Sequence, residues 1–158
     1  MSNQPFTHLD SAGQARMVDV TAKTPTVREA TASGFVRCGT VVIDALRSGT
    51  APKGDVLAVA RIAGIQGAKR TAELLPLAHI IGIHGATVDL EVTDDGVRIS
   101  ATVRTADRTG VEMEAMTAVS VAALAIVDMV KGMDRTVEIT DIRLLAKSGG
   151  RSGDWHRG

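Results

Sequence analysis

ATVDLEVTDDGVRISATVRT, residues 86 to 105, decides the fold. Val88, Leu90 and Val92 alternate with polar residues before Asp94-Asp95-Gly96, and Val97, Ile99, Ala101 and Val103 alternate after it. A period of two marks a strand with one buried face, and an Asp-Gly step between two such runs marks a hairpin. The predicted strands cover 80–93 and 97–105. On the N-terminal side, 53–75 repeats apolar residues (Val56, Val59, Ile62, Ala63, Ala68, Ala72 and Leu75) mostly at steps of three and four, which predicts a helix ended by Pro76. On the C-terminal side, 113–131 predicts a second long helix.

Further out, 26–37 reads as a strand, 40–47 as a short helix stopped at Ser48-Gly49, and 136–145 as a closing strand. The order strand, helices, strand, strand, helix, strand is that of an α+β protein with the ferredoxin-like, split βαβ architecture, an antiparallel sheet with helices on one face. The expected organisation is an N-terminal arm over 1–25, a single domain over 26–147 and a flexible glycine-rich tail over 148–158. Gly64 and Gly67 lie inside the first long helix. Each costs roughly 1 kcal/mol against alanine there, so a close helix–sheet contact is expected at both.

Of 158 residues, 44% are hydrophobic and 23% charged, which suits a globular chain. Aromatics are only 2%, too few for a platform that stacks bases. Eighteen basic and eighteen acidic residues leave no net charge, so nothing draws the whole protein onto nucleic acid or an anionic membrane. The one cysteine, Cys38, fits a reducing compartment. The start MSNQPFTHLD lacks the pattern of a secretory leader, and the 13 uncharged residues between Glu114 and Asp128 fall short of the ~20 that span a bilayer. A cytoplasmic protein is expected.

The run AMTAVSVAALAIV, 115–127, is apolar nearly all round. A domain of this size seldom encloses a helix on every side, so a second subunit is expected against it. Glu112 and Glu114 sit at its N-terminal mouth, where the helix macrodipole favours acids. Asp128 stands at the unfavourable end, three residues from Lys131, and so needs that lysine as its partner. Fourteen residues separate Glu114 from Asp128, about 21 Å along a helix. The two clusters therefore belong to different sites or to opposite sides of one site shared between subunits.

Lys53, in APKGDV before a helix, suits a phosphate at the helix N-terminus or a solvated loop; Lys69 and Arg70 suit a charged surface. Neither GxxxxGK[ST] nor GxGxxG occurs. The histidines, His8, His79, His84 and His156, and one cysteine show no zinc spacing, so no metal and no cofactor is expected. His79, at a helix-to-strand corner, is the better acid–base candidate. KSGGRSG offers a backbone anion cradle with Lys147 and Arg151 beside it, though its spacing favours a flexible tail.

MVDVTAK, KGDV, ARIAGIQGAKRT, LLPLAH, TGVEMEAMTAVSVAAL, DMVK and RLLAKSGG together resemble cyclic pyranopterin monophosphate synthase, the C protein family of molybdenum cofactor biosynthesis. The likeness runs from about Thr7 to Trp155. It implies a lyase acting on a cyclised dihydro-GTP that carries its triphosphate, with pyrophosphate as a product. It also implies a homohexamer, a trimer of dimers, with the site between subunits. Carried over by motif, Lys53, Asp128 and Lys131 are catalytic. Leu77, Ala78, His79, Glu112, Met113 and Glu114 line the substrate pocket, and Lys69, Lys147 and Arg28 face the phosphates. The chain departs from the usual family pattern at Ala78, Ile80 and Val127. The competing reading is a weakly catalytic paralogue that binds the nucleotide or scaffolds pathway partners; intact Lys53, Asp128 and Lys131 favour the enzyme.

Overall fold

The structure, a computed structural model, describes residues 7–158; the first six residues of the expected arm lie outside the described residues. The strands are β1 (Thr26–Arg37), β2 (Gly85–Val92), β3 (Gly96–Asp107), β4 (Glu138–Ser148) and β5 (Trp155–His156). The helices are α1 (Thr40–Ser48), α2 (Val56–Lys69), α3 (Thr71–Leu74) and α4 (Glu112–Val130). The sheet order is β2-β3-β1-β4-β5, antiparallel at every pairing. This is the split βαβ arrangement predicted from the order of the elements.

Alternation along the strands sends one face to the helices. Ala30, Ala32 and Val36 of β1 and Val97, Ile99, Ala101 and Val103 of β3 are buried. The opposite face is polar, with Thr31 and Thr102 hydroxyls 2.9 Å apart and Arg98 paired with Glu91. Helix α4 packs on β1, β3 and β4, while α2 packs on α4 and β2. Asp55 caps α2, accepting from the Ala58 amide at 3.0 Å, which leaves Lys53 in the turn ahead of it.

Gly64 and Gly67 face α4 more than the sheet. A β-carbon on Gly64 would stand 2.9 Å from the Ala118 carbonyl oxygen and 3.2 Å from the Ala122 methyl, with Val88 of β2 at 3.1 Å; on Gly67 it would meet Val121 at 2.8 Å. The expected helix–sheet contact is thus chiefly a helix–helix contact, with α2 antiparallel to α4.

Further boundaries depart from the sequence reading, among them the closing strand, which spans Glu138–Ser148 rather than 136–145. The helix predicted over 53–75 divides at Arg70, because the buried Thr71 hydroxyl donates to the carbonyls of Gly67 and Ala68 and so competes with the regular ladder. The strand predicted from 80 begins at Gly85: the Thr105 hydroxyl takes the Gly82 carbonyl at 2.5 Å, while the His84 amide still donates to the Arg104 carbonyl of β3 at 2.9 Å. The glycine-rich end is a hairpin. Gly149 and Gly150 adopt φ of +81° and +76°, open to glycine without strain, and β5 returns to pair with Ala146 and Lys147.

Helix α4 is also less solvent-facing than its apolar run suggests. Ala115, Ala118, Val119, Ala122, Ala123 and Ile126 are buried within the protomer, while Met113 and Leu124 stay exposed. Gly64→Val should force α2 off α4 and destabilise the fold by roughly 1–3 kcal/mol, as overpacking does. A fall in the urea midpoint at unchanged m-value checks it; a neutral variant would mean the helices tolerate a wider spacing.

Candidate active site

Two acids enter from the first turn of α4, which has no side-chain cap of its own. The Glu112 carboxylate folds back over Gly110, where a β-carbon would overlap it, and lies 3.6 Å from Lys147 Nζ of β4. Glu114 points into the protein and is 5% exposed. Between them Met113 stands at the surface.

These residues border a cavity of about 490 Å³. The corner after α3 supplies Leu77, Ala78 and His79, and the β3–α4 connection supplies Thr109 and Gly110. An adjoining chamber of about 180 Å³ is lined by Arg28, Lys147, Ser148, Gly149 and Ser152, and it shares Gly110 and Glu112 with the larger one. Arg28 lies against Gly150, and its Nε donates to the Asp107 carbonyl at 3.2 Å. Lys147 Nζ donates to Ser152 Oγ at 2.6 Å, and the Gly149 amide donates to Asp154. The larger chamber thus holds Glu112 and Glu114 together with Lys23, and the smaller one holds Arg28 and Lys147 together with the carboxylates of Glu29 and Glu112. That pairing suits a ligand with an N–H edge at one end and an anion at the other.

The third group stands at the far end of α4. Lys131 Nζ donates to Asp128 Oδ1 at 2.7 Å, while Lys53 Nζ donates to the Asp128 carbonyl at 2.9 Å and lies 3.8 Å from Oδ2. The Lys131 hydrogen bond and charge, with Lys53 behind them, hold the Asp128 carboxyl below its ordinary range. The three side chains are half or more exposed, and none of them lines the cavity of Glu114.

Lys69, the last residue of α2, is exposed and lines neither chamber. Residues read from the sequence only as an arm supply a wall of the larger chamber: His8, Val18, Val20 and Lys23. The available signal for Lys23 was its place in MVDVTAK. The His79 Nε2 donates to the Val18 carbonyl at 2.5 Å, so the neutral ring carries its proton on Nε2. Among the described residues no three His, Cys, Asp or Glu side chains gather as a metal set.

Burial pushes the Glu114 carboxyl up to about 7, and the neighbouring Glu112 charge adds to it, against a backbone hydrogen bond that lowers it. A raised folded value means the group's contribution to stability is fully present below its ordinary 4.5 and is lost as pH rises through about 7. Between pH 5 and pH 8 the wild type should lose on the order of 1–3 kcal/mol more stability than Glu114→Gln. Urea denaturation at both pH values checks it, and parallel losses in the two proteins would contradict it.

Residues 17–150 match the MoaC family. The chain is 60% identical to the cyclic pyranopterin monophosphate synthase of Streptomyces coelicolor, covering 96% of this chain and 89% of that one. It is 58% identical to the synthase of the same name from a Nocardioides species, covering 99% of both chains. Against that of Chloroflexus aurantiacus it is 54% identical over 99% of this chain and 97% of the relative. With a family match across most of its length and full-length relatives that are all synthases of one name, the chain belongs to the MoaC family of cyclic pyranopterin monophosphate synthases.

Proposed function

We propose that the protein is a cytoplasmic lyase that converts a cyclised dihydro-GTP into cyclic pyranopterin monophosphate and pyrophosphate. Glu112, shared by the chamber of Glu114 and the chamber of Arg28 and Lys147, is the observation that carries the reading. In this reading the acids receive the N–H edge of the pterin, and Arg28 and Lys147 receive the triphosphate. A sugar hydroxyl attacks the α-phosphorus; one P–O bond forms, the bond to the outgoing pyrophosphate breaks, and the hydroxyl proton must go to a base. Lys131 beside Asp128, with Lys53, supplies paired groups for such proton transfers.

The acids and the Lys53–Asp128–Lys131 group lie about 21 Å apart along α4, too far for one ligand of a single chain. A homohexamer, a trimer of dimers, would complete each site from two chains. The exposed Leu124 of α4 and the exposed Val59 and Ile62 of α2 support that reading. Release of pyrophosphate from the cyclised dihydro-GTP is the direct test. Binding without turnover would instead favour a nucleotide-binding scaffold.

Lys131→Ala should lower turnover by about 10²–10⁴-fold, the span of a lost acid–base group, with a smaller effect on binding. Lys69 lies outside both chambers of its own chain and would reach the phosphates only in a site completed by a partner chain, so Lys69→Ala should chiefly weaken binding. Calorimetric titration and single-turnover rates check both, and a Lys131→Ala protein that turns over normally at saturation would remove that lysine from the chemistry.

If the site is shared, inactive Glu114→Ala and Lys131→Ala proteins unfolded together and refolded should regain about a quarter of wild-type activity, because random assortment restores both halves at one site in four. No recovery from mixed, correctly sized oligomers would put both halves within one chain.

A further inference from the structure

Residues 18–23 form a strap that gives Val18, Val20 and Lys23 to one wall of the cavity. The segment joins no strand, and Val20 with His79 borders both the active-site cavity and a second one of about 570 Å³. Its shape is set by a local turn: the Thr21 amide donates to Asp19 Oδ1 at 2.9 Å, and the Lys23 amide to the Val20 carbonyl at 3.0 Å. Such a turn holds its own geometry but cannot by itself fix where the strap lies. Exposed, loosely packed segments open at low free energy unless something ties them to the core.

Two ties are present. His79 Nε2 holds the Val18 carbonyl, and Arg108 Nε donates to the Lys23 carbonyl at 2.9 Å. Arg108 is itself well seated. It follows directly on β3, is half-buried, and its amide donates to Asp107 Oδ1 at 2.7 Å. The adjacent Asp107 carbonyl takes the Arg28 guanidinium. One corner of the chain therefore anchors a cation for each chamber: Arg28 through a main-chain oxygen, and Lys23 through the Arg108 side chain. Among the described residues Lys23 makes no ion pair, so its ammonium is left available to the phosphate end of a ligand that spans the two chambers.

We propose that Arg108 is a positioning residue, one that sets Lys23 and the strap against the cavity without itself touching the substrate. This rests on the reading of the cavity as the substrate site. Lys23→Ala should raise KM roughly tenfold, the scale of one charged hydrogen bond, and change kcat little. Arg108→Ala should do nearly the same, and the double variant should be no worse than Lys23→Ala alone, because both act through one ammonium.

The independent readout is amide hydrogen exchange without substrate. Arg108→Ala should speed exchange across 18–25 and leave the strands of the sheet unchanged. Arg108→Lys, which keeps the charge and one donor, should restore part of the protection and of KM. Unchanged exchange at 18–25, or effects of Arg108→Ala and Lys23→Ala on KM that multiply, would overturn the proposal. If the wild type releases no pyrophosphate, the functional reading fails while the exchange result still decides whether Arg108 holds the strap.

Discussion

The approach of α2 to α4 at Gly64 and Gly67 is the constraint on which the rest depends. With no side chain at either glycine, the Ala118 carbonyl and the Val121 side chain of α4 come within contact of the α2 backbone. Small residues on α4, among them Ala118, Ala122 and Ala123, then let the same helix lie flat on the β1–β3 face. The result fixes the axis of α4, and with it the positions of everything at its two ends. Glu114 enters the protein at one end because the helix is sunk deeply there, and Asp128 leaves at the other beside the turn that carries Lys53.

Placement converts three acids of one helix into three chemical states. Glu112 is paired with Lys147 and remains accessible to the cavity. Glu114, two residues on, is removed from water and holds its proton to about pH 7. Asp128, exposed between two lysines, stays ionised well below neutrality. Burial raises the cost of a carboxylate and an adjacent ammonium lowers it, so environment alone separates these groups. A chain without net charge thereby offers a site with sharply different local charge at each point.

Parts of this were legible in the sequence because they are local. The alternation around Asp94-Asp95-Gly96 specifies a hairpin within 20 residues, and the 3.6-residue repeats on either side specify the helices. The pairing of Asp128 with Lys131 follows from helical spacing and is present at 2.7 Å. The distance that keeps Glu114 and Asp128 in separate regions follows from helical rise alone. The boundaries at Arg70 and Gly85 were hidden, since each depends on a hydroxyl that competes with the regular ladder, Thr71 in one case and Thr105 in the other.

Neighbours within a few residues set the order and type of the elements and which charged residues share a helix, so these could be read along the chain. The tertiary structure alone decided how deeply Glu114 is buried, that the glycine-rich end returns as β5, that Lys69 lies outside both chambers, and that the arm forms a wall of the cavity. Each of these depends on groups far apart in the chain, such as His79 on Val18 and Arg108 on Lys23. Hydrogen bonds and desolvation act over a few ångströms of space, and only the folded sheet and its two packed helices bring those groups within that range.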